Sequence, residues 1–89
     1  MAYASANLSV LAYANGFTLW HYTTPDPHTQ VDTTGYFAGA ADMLRAGDMI
    51  LANTGTGGTA AGGIFLVTAA GAGTVDVANL TQVGTANTD

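Results

Sequence analysis

The period of apolar and polar positions changes several times along this chain, and each change marks an element. From Phe17 to Thr23 aromatic and β-branched side chains are dense, which predicts a strand with Phe17, Leu19 and His21 on one face and Thr18, Trp20 and Tyr22 on the other. Both faces carry bulk. Such a strand is either central or has one face in the core and the other under a partner, with Trp20 and Tyr22 as rigid amphipathic anchors. From Tyr36 to Leu44 the apolar residues Phe37, Ala40, Ala41 and Leu44 fall at i, i+3, i+4 and i+7, which predicts a short helix. Thr33 or Thr34 would cap its start, and Gly47 would take a left-handed conformation at its end. The run Asp48 to Ala52 then reads as a buried central strand, bounded by Asn53-Thr54-Gly55.

Further along, Ile64 to Thr68 is a second apolar run of strand length, and Thr74 to Ala78 alternates strictly, with Val75 and Val77 inward and Thr74 and Asp76 toward water. The small residues of Ala69 to Gly73 read as the turn of an antiparallel hairpin at the sheet edge, where Asp76 discourages further pairing. Asn79 to Asp89 suits a last short strand and a frayed end. Two prolines make Thr24 to Gln30 a loop, and Gly55 to Gly63 a flexible glycine-rich connection. Asn15-Gly16 is a turn signal. Residues 1–15 before it hold the apolar Leu8, Val10 and Leu11 without caps or clean alternation, so they form either an edge strand or an arm that docks on another subunit. The expected fold is mainly β: a small single-domain β-barrel or sandwich with one short helix, the β-rich domain spanning 16–89.

Composition narrows what such a domain does. At 89 residues the chain makes one modest core. One cation against six carboxylates gives a net charge of −5, which lacks the cationic footprint of nucleic-acid and anionic-membrane binders. The absence of cysteine excludes disulfide, zinc-thiolate and thiol-nucleophile chemistry. The N-terminus shows no basic segment followed by an apolar core, and no apolar run reaches the length of a membrane span. Only 8% of residues are charged, where a soluble surface commonly carries about 25–35%. Charge depletion beside 48% hydrophobic residues is expected where much of the exterior is contact surface.

Candidate chemistry is sparse. His21, His28, Asp26 and Asp32 are the one grouping that could hold a metal or move a proton, but their spacing matches no ligand pattern; His21 reads as a half-buried strand residue and His28 as a solvated loop residue. Ser5 and Ser9 lack a nucleophile elbow. The Gly55 to Gly63 stretch has no Lys-Ser or Lys-Thr after it and leads into a strand, which separates it from phosphate loops. Neither catalytic, cofactor nor metal residues are expected, and the chain does not read as an enzyme. Arg45 beside Asp42 or Asp48 is most simply an ion pair closing the helix-to-strand turn, with an intersubunit carboxylate contact as the alternative. The interface candidates are therefore Leu8, Val10, Leu11, Trp20, Tyr22 and Arg45.

The stretches LSVLAYANGFTLWHYTT, VDTTGYFAGAADMLRAGDMILAN and TVDVANLT resemble small virion proteins of tailed bacteriophages that act as capsid cement or decoration proteins. The resemblance runs from about Leu8 to Leu80, and its motif is structural. It implies a mainly β domain, made in the host cytoplasm and seated on the exterior of an icosahedral capsid. There it would bridge copies of the major capsid protein, with a homotrimer on the shell as one arrangement. A head-fibre or adhesion module displaying Gly55 to Gly63 toward a glycan is the competing expectation.

Overall fold

A computed structural model describes residues 3–58, 60–71 and 73–84. The chain folds as a mainly β domain on one mixed six-stranded sheet. Its strands are β1 (Leu8–Ala14), β2 (Phe17–Thr23), β3 (Met49–Thr54), β4 (Ala61–Gly71), β5 (Thr74–Val77) and β6 (Thr81–Val83). The order is β1-β2-β3-β4-β5 with β6 also on β4, so the sheet stays open and does not close into a barrel. Asn15 (φ 54) and Gly16 (φ 76) both take positive φ, the geometry of the tight turn that joins twisted antiparallel strands, and β1 pairs with β2 as the edge strand. A bulge at Leu11 shifts the register between Val10 and Ala12.

β2 and β3 are parallel, which obliges the intervening residues 24–48 to cross over the sheet. This crossover is the second layer. Its Val31, Phe37, Ala40 and Leu44 pack on Trp20, Tyr22, Ile50, Ala52, Phe65, Val67, Val75 and Val77, the inward residues of β2 to β5. Every apolar position in the 37–44 pattern thus turns toward the core, Ala41 less completely than the rest. The backbone beneath is not the expected helix. It is a 3-10 turn at Ala38–Ala40 within a series of i→i+3 bonds, Ala38 to Gly35, Ala40 to Phe37 and Met43 to Ala40. Apolar spacing of three and four reports which side chains are inward, and successive tight turns achieve that without the costly nucleus of a regular helix.

Among the described residues the one α-helical turn, α1 (His28–Val31), lies at the end of the stretch expected to be loop. Pro27 initiates it: the ring presets φ at −68°, no amide is needed at that position, and the Gln30 and Val31 amides bond to its carbonyl. Neither Thr33 nor Thr34 caps a helix; their hydroxyls donate to the Thr29 carbonyl and to Asp76 Oδ1. Gly47 does take positive φ (95°), in the turn that delivers the chain to β3, where its amide bonds to the Val67 carbonyl.

β4 is longer than expected at both ends. It absorbs Ala61, Gly62 and Gly63 from the glycine-rich stretch and Ala69 to Gly71 from the expected turn. Gly62, Gly63 and Ile64 pair with β3 on one edge and β6 on the other. A Cβ on Gly63 would run into the Thr81 carbonyl and stand 3.0 Å from Gln82 Cα, so this position admits β6 only as glycine. Upstream, Gly55 is buried and its amide bonds to the Asp26 carbonyl, so that end of the stretch is anchored. The β4–β5 hairpin forms as expected, with Val75 and Val77 buried. Asp76 is half-buried, and the crossover covers the β5 edge through the Gly35 amide on the Val75 carbonyl. The expected frayed end at 85–89, like Thr59 and Ala72 within the expected loops, lies outside the described residues.

Candidate interaction surface

Alternation along a strand sends every second side chain away from the core, and the described residues cover only one face of this sheet. On the other face Leu19 of β2 stands beside Met49 of β3, Met49 beside Leu66 of β4, and Leu51 beside Ile64. Met49, Leu51 and Leu66 remain about two-fifths exposed, at 39%, 39% and 41%. β6 adds Val83 opposite Gly62. Between Met49, Ile64, Leu66, Ala78, Asn79 and Thr81 runs an apolar groove of about 360 Å³. The described charged residues lie elsewhere: Asp26 and Asp48 are buried, Asp32, Asp42 and Arg45 belong to the crossover, and Asp76 sits on β5 against Thr34. The result is an uncharged apolar patch three strands wide, larger in character than scattered surface leucines.

A second apolar strip follows the β1 edge, where Val10, Leu11 and Tyr13 are exposed. Of the sequence-derived interface candidates, Val10 and Leu11 lie there, Leu8 is half-buried against the core, and Arg45 is exposed. Trp20 and Tyr22 correct the expectation: they are 7% and 0% exposed and belong to the core, because the crossover claims the face of β2 on which they stand. The face of β2 that meets solvent carries Phe17, Leu19 and His21, each half-buried.

Polar side chains inside the fold serve architecture. Asp48 receives the indole N–H of Trp20 at 3.1 Å, the Thr18 amide at 3.2 Å and the Arg45 amide at 3.2 Å. The carboxylate therefore holds the main chain of Arg45 and not its guanidinium, which replaces the expected ion pair. Asp26, buried at 1% exposure, accepts from the Tyr36 hydroxyl at 2.7 Å. Tyr36 meets the Tyr22 hydroxyl at 3.0 Å, and Tyr22 in turn accepts the Ala4 amide at 3.0 Å. Burial pushes the Tyr36 phenol well above its ordinary range, and its hydrogen bonds with Tyr22 and Asp26 add to the shift. Tyr3 stacks on Tyr22 with ring centroids 5.8 Å apart, and burial raises its phenol too, with Tyr22 adding to the shift.

The histidines contact amide side chains. His21 Nε2 lies 3.1 Å from Asn53 Nδ2, and His28 Nε2 lies 3.4 Å from Gln82 Nε2, so each sits with an amide side chain. Among the described residues no three His, Cys, Asp or Glu side chains gather as a metal set. At the end of the sheet Thr23, Asn53, Thr56 and Gln82, with the small residues Ala60 to Gly62 and with Val83 and Gly84, line an open cleft of about 670 Å³.

The outer patch escapes sequence reasoning because the runs MILA and IFLV are apolar at both parities, which reads equally as burial on both faces. A usable signal exists. A chain with one segment long enough to cover a sheet cannot cover two faces of it. Comparison with family models, curated proteins and solved structures returns no match to this chain.

Proposed function

We propose that this protein is a structural virion subunit that docks through its outer sheet face on the exterior of an icosahedral phage capsid and cements neighbouring copies of the major capsid protein. The observation that carries the reading is the uncharged apolar patch of Leu19, Met49, Leu51, Ile64 and Leu66, which the described residues leave open, their second layer lying on the opposite side. Its partner is a protein surface that is itself apolar and neutral at the contact, since the face offers no cation to nucleic acid or anionic lipid. Each of the three most exposed side chains returns roughly 1–2 kcal/mol when its remaining apolar surface is covered, so a single contact is weak. Repetition over a shell makes it effective, and a ligand that binds only the assembled lattice stabilises that lattice by mass action without chemistry.

The test is cosedimentation with DNA-filled shells at low and high salt. Wild-type protein is expected to stay bound at high salt, because screening weakens exposed charge contacts and leaves apolar burial intact. Leu51→Asp is expected to be released while keeping its thermal transition, and His28→Ala to bind as wild type. Release of the wild type by salt alone would sink the apolar-face mechanism. The adhesion reading draws on the open cleft at Asn53, Thr56 and Gln82, but no aromatic platform lines it.

A further inference from the structure

The tip of the β1–β2 hairpin is the chain's one Asn-Gly pair, Asn15-Gly16. Both residues are exposed, and both take positive φ. Among the described residues neither the Asn15 side-chain amide nor the Gly16 main-chain amide has a hydrogen-bond partner. A Cβ on Gly16 would meet nothing within 4 Å, so the space beside this peptide is open. We propose that Asn15 is a site of spontaneous covalent modification, at which water replaces the side-chain nitrogen and the product loosens the half of β1 nearest the turn. This chemistry needs no partner and is independent of shell docking.

The Gly16 amide nitrogen adjoins the Asn15 main-chain carbonyl, so its attack on Asn15 Cγ closes a succinimide ring. The N–Cγ bond forms, the Cγ–Nδ2 bond breaks, and the Gly16 proton leaves with the departing nitrogen as ammonia. Water then opens the ring. Attack at Cγ gives an aspartate, and attack at the main-chain carbonyl carbon gives an isoaspartate whose chain runs on through Cβ. One water enters and one ammonia leaves, with no oxidant. Glycine favours the closure, because it has no side chain to screen the attacking nitrogen or to restrict the rotation that ring formation requires. The other described asparagines, Asn7, Asn53 and Asn79, precede Leu8, Thr54 and Leu80, and the Asn53 amide also contacts His21.

Either product disturbs the hairpin locally. Residues 1–25 contain no Asp, Glu, Lys or Arg, so an aspartate puts the first such charge on β1 and β2. An isoaspartate lengthens the main chain inside a tight turn whose span the Ala14–Phe17 pairing fixes. β1 has β2 as its one sheet neighbour, and the bulge at Leu11 divides it. Ala12, Tyr13 and Ala14 are therefore held by the turn and by their pairing with Phe17 to Leu19. Tyr13 is 71% exposed and adds little packing. Beyond the bulge Leu8, Ser9 and Val10 keep their own partners, and the segment before them is pinned by Tyr3 stacked on Tyr22 and by the Ala4 amide on the Tyr22 hydroxyl. β2 keeps its pairing with β3 and the Thr18 amide on Asp48. The loosening stops at the bulge.

Incubation of the full chain at mildly alkaline pH, followed by peptide mass spectrometry, reads the reaction directly. The mass gain of an amide-to-acid exchange is expected at Asn15 at least roughly tenfold faster than at Asn7, Asn53 or Asn79, because Gly16 alone leaves the nitrogen unscreened. Asn15→Gly retains a residue that accepts positive φ and should abolish the reaction. Hydrogen exchange on the aged protein should show ladder protection lost within Ala12–Ala14 and retained within Leu8–Val10. Conversion at Asn15 no faster than at the other three asparagines overturns the modification site. Conversion that leaves Ala12–Ala14 as protected as in fresh protein overturns the loosening.

Discussion

Replacing Asp48 by alanine should remove a large share of this domain's stability, because one buried carboxylate satisfies three donors on two segments, β2 and the crossover. The indole N–H of Trp20 on β2, the Thr18 amide on the same strand and the Arg45 amide of the crossover all converge on it, at 3.1 to 3.2 Å. Asp48 is 2% exposed and Trp20 7%, so water does not simply replace the carboxylate at the indole. A buried donor left without an acceptor costs about 1–3 kcal/mol, and two partly buried amides that regain some hydration about 0.5–1 kcal/mol each. The expected loss is about 2–5 kcal/mol against a total near 5–15 kcal/mol. For a domain of this size that lowers Tm by roughly 8–40 °C. Trp20 is the sole tryptophan, so urea unfolding followed by its fluorescence monitors the residue whose hydrogen bond is removed. Asp48→Asn, which keeps one carbonyl oxygen, should fall between alanine and wild type. A loss under about 1 kcal/mol in Asp48→Ala would refute the claim that this carboxylate ties β2 to the crossover.

Gly63→Ala should push β6 off β4, since the new methyl collides with the Thr81 main chain; a cost of about 1–3 kcal/mol and lost hydrogen-exchange protection at Thr81–Val83 are expected, and unchanged protection would contradict the close approach. The Tyr36 phenol is held above its ordinary value of 10.0, so its contribution to stability is complete below pH 10 and declines as pH rises further, when the unfolded chain releases the proton that the folded chain retains. Alkaline unfolding monitored by circular dichroism should begin above that pH, and Tyr36→Phe should flatten the dependence while lowering stability at pH 7 through the lost Tyr22 and Asp26 contacts.

Local pattern was enough for the strands. The Phe17–Thr23 strand, the parity of Trp20 and Tyr22, the strand after Gly47 and the Val75/Val77 hairpin were all legible, because side-chain alternation and glycine's tolerance of positive φ act within a few residues. The inward set Phe37, Ala40 and Leu44 was legible too, although the turns that carry it were not. Which face of a strand receives the covering layer is decided elsewhere. The parallel pairing of β2 with β3 throws residues 24–48 across one side of the sheet. That single event buries Trp20 and Tyr22, draws Asp26 and Asp48 inside, and strands Met49, Leu51, Ile64 and Leu66 on the open side. An apolar run carries no label for core or partner, since burial lowers its free energy equally in either. Only the tertiary placement of the crossover tells the two faces apart.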